Sequence, residues 1–292
     1  MIPKELFQKV RRIEIRTRNI VDSVLSGEYH SVFKGRGMEF SEVRTYMQGD
    51  DIRSIDWNVT ARMGEPYVKK YVEEREMTVM LVVDASASGS FGTVSQYKSE
   101  VAVELCALLA FSAIKNNDRV GLIMFTSEVE KYIPPKKGKN HVLRVIRELL
   151  SFTPQHKGTD IAGALSYLNR VLRKKSVVFC ISDFIAHDYE KPFRVAARRH
   201  DMIAISISDP RELELPDVGY IELADTETGE TMLVNTRDKA VRNSFARQTR
   251  DRRQSLRSFF QLNGIDNIQV STGTDYVDPL VRFFMQREKM YH

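Results

Sequence analysis

Asp84, Ser86 and Ser88 form a D-x-S-x-S pattern directly after an apolar run, Met77–Val83. Alternation by two lets the three side chains face one side of an extended turn. Small hydroxyls with one or two carboxylates are the oxygen donors that a hard divalent cation such as magnesium takes. A site of this kind needs two further pieces. One is a hydroxyl from a separate loop, and Thr159 in Gly158-Thr159-Asp160 supplies it. The other is a second carboxylate from another strand end, and Asp183 after Ile181-Ser182 supplies that. The same residues also read as caps of turns and helices, since Asp, Ser and Thr accept hydrogen bonds from nearby backbone N–H groups.

The elements that would position these residues come from hydrophobic patterning. Met77–Val83, Val120–Phe125, Ser176–Ile181 and Met202–Ile207 are short apolar runs, as strands buried on both faces require, and Ile268–Val270 is a weaker fifth. Between them Tyr97–Lys115 is apolar almost all round. Val142, Ile146, Leu149 and Leu150 follow one helical face, as do Ile161, Ala164, Leu165, Leu168 and Leu172. Alternating strands and helices predict an α/β fold with a doubly wound, mostly parallel sheet, its first strand central. Ligands of such sheets bind outside the carboxyl ends of the strands, where strand order reverses. Asp84 and Asp183 both stand at such ends.

Residues 1–75 are patterned differently. Lys4–Leu25 predicts a polar amphipathic helix, and Glu28–Val72 predicts short strands and turns in a small N-terminal lobe. Residues 76–292 form the sheet domain, with a hairpin insertion near 211–236 whose tip is Asp225–Glu230. That tip is a poor calcium loop, because Gly229 stands fifth and Thr236 occupies the place of the bidentate Glu. Asp238–Leu262 predicts a long helix and Asp275–Gln286 a terminal one. In the lobe, Asp50, Asp51 and Asp56 interleave with Arg44, Arg53 and Arg62. Mutual salt bridges and turn hydrogen bonds account for these better than a second metal cluster. Asp209 before Pro210 reads as a turn.

Composition excludes several classes. The 292 residues are 42% apolar and 28% charged, which is globular usage and not disorder or low complexity. The 44 basic and 39 acidic residues leave a net charge of +5, too mild by itself to indicate nucleic acid. Cys106 and Cys180 sit in apolar runs outside any C-x-x-C pair, as core side chains of a reducing compartment. No run approaches the ~18 apolar residues of a membrane span, and Met1–Arg18 lacks a signal-peptide core. A cytoplasmic protein is expected. The six histidines are dispersed, and the phosphate-loop and G-x-S-x-G motifs are missing. The helix 238–262 carries Arg237, Lys239, Arg242, Arg247, Arg250, Arg252, Arg253 and Arg257 without an aromatic stacking platform, so a solvated helix face accounts for it. Phosphate groups and an acidic protein partner are the alternatives.

D-x-S-x-S, a loop Thr and a strand-terminal Asp resemble the metal-ion-dependent adhesion site of von Willebrand factor A domains. The chain as a whole resembles domain-of-unknown-function family 58. Gly35-Arg36-Gly37-Met38-Glu39-Phe40, Arg44-Thr45-Tyr46, Gly49–Trp57 and Ala61-Arg62 carry that likeness, together with the order of segments to about Arg287. The resemblance implies a von Willebrand factor A-like fold, often encoded beside a MoxR-type AAA+ ATPase. It implies that Ser86 and Ser88 bind a magnesium ion (or manganese or calcium) directly, Thr159 directly or through water, and Asp84 and Asp183 through waters. A coordination position would remain for an acidic group from outside.

Two functions follow as expectations. One is a non-enzymatic, metal-dependent protein-interaction module, an adaptor or chaperone-like partner of a MoxR-type ATPase or its client. The alternative is a metal-dependent hydrolase such as a phosphoesterase, for which no general base is evident in the sequence.

Overall fold

The computed structural model describes residues 4–21, 29, 38–73, 76–93, 96–224 and 230–291. The hairpin tip Asp225–Gly229 and the Gly35–Gly37 part of the signature lie outside them. The chain divides into two compact units, Phe33–Met77 and the remainder.

The larger unit is built on a six-stranded sheet. Its strands in chain order are β3 (Thr78–Asp84), β4 (Arg119–Phe125), β5 (Val129–Lys136), β6 (Val177–Ser182), β7 (Asp201–Ser208) and β10 (Asp266–Ser271). Their spatial order is β10-β7-β6-β3-β4-β5, parallel throughout except for the antiparallel edge strand β5. Every residue of β6 and the five central residues of β3 are buried, which is why both read as unbroken apolar runs. From β3 the chain proceeds to β4 on one side and later returns to β6 on the other, so strand order reverses at the β3/β6 boundary.

Helices cover both faces. Alternation sends Met80 and Val82 into a core built with Leu165 of α5 (Ile161–Val171), Phe193 of α6 (Glu190–Arg199) and Phe260 of α8 (Lys239–Leu262). The opposite face is covered by α3 (Lys98–Lys115), which is buried nearly all round because α1 (Lys4–Ile20) and α4 (Lys139–Ser151) pack beside it. The sequence grouping placed α1 with the lobe. Its Arg16 instead pairs with Glu104 on α3, and its Glu14 pairs with Lys139 on α4.

Several elements escaped the patterning, β5 and α6 among them. The strand β5 carries Pro134 and Pro135, tolerable only because an edge strand leaves N–H positions unpaired. The helix α6 buries only Phe193 and Ala196, too few to set a period. A short helix, α7 (Pro210–Leu213), follows β7, and β8 (Tyr220–Ala224) and β9 (Thr231–Asn235) form the expected hairpin. The last helix, α9, spans Val277–Tyr291.

The smaller unit is an antiparallel pair, β1 (Met38–Thr45) and β2 (Tyr67–Glu73), with α2 (Trp57–Met63) between them. Its aspartates are structural, as expected. Arg44 donates to both oxygens of Asp50 at 2.7 Å, Asp51 caps a short turn, and Asp56 caps α2 while lying 3.6 Å from Lys69. Cys106 and Cys180 are buried free thiols, and burial pushes both thiols far up in pKa.

Candidate functional site

Parallel register sets the first part of the site. Val83 pairs with Ile181, so Asp84 and Ser182 leave adjacent strand ends together. Ser182 Oγ donates to Asp84 Oδ2 at 2.6 Å, and Asp84 Oδ1 accepts the Ser86 backbone N–H at 3.0 Å. Beyond Asp84 the Ala85 N–H donates to Phe125 O of β4, which holds the turn over the carboxyl ends of the strands. The Ser86 and Ser88 hydroxyls are hydrogen-bonded to each other, with their oxygens 3.0 Å apart.

The loop bearing Thr159 is fastened to this turn. Lys157 O accepts the Ala87 N–H, and the Asp160 N–H donates to Thr126 O at 2.7 Å. Glu130 on β5 accepts the backbone N–H groups of Gln155 and His156. The cap of α5 is Asp160, whose carboxylate accepts the Gly163 N–H at 2.8 Å. The capping role open to Thr159 in the sequence therefore belongs to its neighbour.

Asp183 stands one residue beyond β6. Phe184 adopts φ 56°, in the left-handed region, and its ring packs edge-on against Phe260 at 5.3 Å. Left-handed geometry costs a bulky residue about 1–2 kcal/mol, which burial of a phenyl ring offsets. The loop is thereby anchored, and Asp183 Oδ1 accepts the Ile185 N–H.

Lys98, in the first turn of α3, is the residue that sequence reasoning missed. Its ammonium donates to Asp183 Oδ2 at 2.7 Å and to Glu212 Oε1 at 2.6 Å, and its side chain is 4% exposed. Burial alone would lower the pKa of this amine, but the charges of Asp183 and Glu212 overcome it and hold the pKa above its usual value. One signal was available: a cation in the first turn of a helix opposes the helix dipole and so calls for carboxylates nearby. Asp209 caps α7, as the turn read at Pro210 implies, and has further partners. It is fully buried and accepts from Thr93, Thr272 and the Arg211 N–H. Burial would raise its pKa, yet these bonds hold it below the usual carboxylate range.

Asp84 has the most perturbed carboxyl of the crevice. Burial raises its pKa to about 6, and the charge of Asp183 adds to the rise against the hydrogen bonds from Ser182 and Ser86. The two aspartates therefore feel each other's charge. The carboxylates of Asp84, Asp183 and Glu212 attract a dication, while Lys98 and, in the pocket beside Asp183, Arg252 and Arg253 oppose it. The hydroxyl spacing fits such an ion. Magnesium–oxygen bonds of ~2.1 Å at right angles place neighbouring ligands ~3.0 Å apart, the separation of Ser86 Oγ and Ser88 Oγ. Asp183 fits such an ion less freely, because its Oδ2 already holds the Lys98 ammonium.

The chain is thus a doubly wound α/β protein with a polar crevice at the reversal point of its sheet. It belongs to the family described as protein of unknown function DUF58, whose model matches residues 42–255. An uncharacterized protein of Mycobacterium bovis is 32% identical over 288 residues, covering 98% of this chain and 90% of its own length. Uncharacterized proteins of Mycobacterium tuberculosis match equally. Among solved structures, the conserved hypothetical protein BatB from Bacteroides thetaiotaomicron is 17% identical with a TM-score of 0.48, covering 73% of this chain and 99% of its own. An aerotolerance-related membrane protein from Bacteroides fragilis is 18% identical with a TM-score of 0.49 over the same shares. Among the described residues, no helix is long and apolar enough to cross a membrane.

Proposed function

We propose that this protein is a cation-dependent protein-interaction module, and that its binding face is the crevice at Asp84, Ser86, Ser88, Thr159 and Asp183. The carrying observation is the pairing of two hydroxyls at the spacing of a magnesium coordination edge with a carboxyl whose pKa is raised to about 6. Ser86 and Ser88 would hold the ion directly. Thr159 would do so directly or through water, and Asp84 and Asp183 through water. When bound, the ion would supply a Lewis-acidic position for an acidic side chain of a partner. The rest of the work belongs to the chain: Ser182 and the Ser86 N–H orient Asp84, and the Lys98 ammonium holds Asp183 in place. The family resemblance makes a MoxR-type AAA+ ATPase, or its client, the first partner to test.

A metal-dependent hydrolase is a second reading, favoured by one observation: a carboxyl near pKa 6 beside a serine hydroxyl is suited to proton transfer near neutrality.

Calorimetric titration of the ATPase into wild-type protein and Asp84→Ala, each with magnesium or chelator, tests the first reading. Binding is expected only for wild-type protein with magnesium. Equal affinity in all four conditions overturns it. Phosphatase or nuclease turnover that Asp84→Asn abolishes would establish the second reading instead.

A further inference from the structure

The second half of α8 borders a groove of about 490 Å³ whose other wall is the segment at Leu213 and Glu214. Arg250, Arg253 and Arg257 line it, at the three- and four-residue spacing that puts side chains on one helix face. Arg253 donates to Gln269 Oε1 at 3.0 Å, and Arg257 donates to the same oxygen at 2.7 Å. Two guanidinium groups therefore share one neutral acceptor. Among the described residues, no carboxylate lies within 4 Å of Arg250, Arg252, Arg253 or Arg257. Elsewhere in the molecule the buried guanidinium of Arg287 is held by the carboxylates of Asp201 and Asp266. Burial and the charges of Arg257 and Arg252 push the pKa of Arg253 below its usual value. The amide of Gln269 thus fixes the positions of two cations without neutralising them.

We propose that this groove is an anion-binding site for a carboxylate-bearing peptide segment, held by Arg250, Arg253 and Arg257. Each planar guanidinium can take a carboxylate through two parallel hydrogen bonds. Along the helix axis the three arginines rise by ~4.5 and ~6 Å, so acidic residues three and four apart on a helical segment match them. Leu213 and Ala246 give the intervening side chains apolar surface, and Glu214 offers an acceptor to an N–H of the segment's first turn, which a helix leaves unpaired. A DNA backbone has no such donor, and no aromatic ring lines the groove for a base to stack on. The site does not depend on the metal reading, since none of its arginines is among the residues proposed to hold the ion, although Arg253 also lines the pocket beside Asp183.

The probe is a fluorescein-labelled alanine-rich peptide with glutamates spaced by three and four residues, followed by anisotropy at low salt. Saturable binding is expected, weakening as salt screens the charges. The double variant Arg253→Gln/Arg257→Gln should lose at least ~10-fold in affinity, while Arg247→Gln, outside the groove, should change it less than ~2-fold. Gln269→Glu separates binding from folding. It keeps both guanidiniums in place but neutralises them, so binding should fall while thermal stability holds or rises. Chelator and Asp84→Ala should leave the peptide affinity unchanged, which distinguishes failure here from failure of the metal reading. The proposal is overturned by absent binding, by unchanged affinity in Gln269→Glu, by equal loss in Arg247→Gln, or by tighter binding of an oligothymidylate of the same length.

Discussion

The raised pKa of Asp84 makes a quantitative claim about stability. In the unfolded chain this carboxyl titrates near 3.8, and in the folded chain near 6. Below 3.8 it is protonated in both states and has no effect. As pH rises from 3.8 to 6, the unfolded state gives up the proton first, so folding loses stability, and above 6 the loss is complete. At ~1.36 kcal/mol per pKa unit, a shift of about two units is worth up to about 3 kcal/mol in the metal-free protein. Other carboxylates, such as Asp209, respond to pH in the opposite direction, so wild-type protein should be compared with the neutral, isosteric Asp84→Asn. Its Oδ1 can keep the Ser86 N–H. The Ser182 hydroxyl loses its acceptor, at about 1 kcal/mol. In chelator the variant should therefore be no more stable than wild type at pH 4. Near pH 8 it should be more stable by roughly 2 kcal/mol. Denaturant unfolding followed by circular dichroism across this range measures the difference. Saturating magnesium should reverse its sign, because only wild-type protein gains from the ion. A difference that stays flat with pH in chelator would refute the electrostatic account of the crevice.

Lys98→Met leaves Asp183 and Glu212 facing each other without their cation and should destabilise the protein by about 3–5 kcal/mol, read by thermal unfolding, with magnesium restoring part of the loss. Asp209→Ala strips an acceptor from Thr93, Thr272 and the Arg211 N–H, and should cost about 2–4 kcal/mol; manganese affinity measured on the surviving folded protein should be unaltered. Asp160→Ala removes the cap of α5 at about 1 kcal/mol. Because it loosens the loop carrying Thr159, it should also weaken manganese binding in the same titration, whereas a cap with no bearing on the site would leave that affinity unchanged.

The doubly wound sheet was legible because strands buried on both faces must be apolar without interruption. Met77–Val83 and Ser176–Ile181 carry that requirement in their own composition, and the strand ends that follow them locate Asp84 and Asp183. Hydroxyl and carboxylate types at fixed local spacing, as in Asp84-Ala85-Ser86-Ala87-Ser88, likewise need no tertiary information. Three features did need it. The membership of α1 rests on ion pairs with Glu104 and Lys139, far away in sequence. The pairing of Lys98 with Asp183 and Glu212 joins residues 85 and 114 positions apart, and a charge is ordinarily assigned to solvent unless its partners are known. The shared hold of Arg253 and Arg257 on Gln269 turns a helix face that reads as solvated into one wall of a groove. Hydrophobic period is a local property of the chain. Charge compensation depends on which distant groups the fold brings within hydrogen-bond reach, and only the tertiary structure decides that.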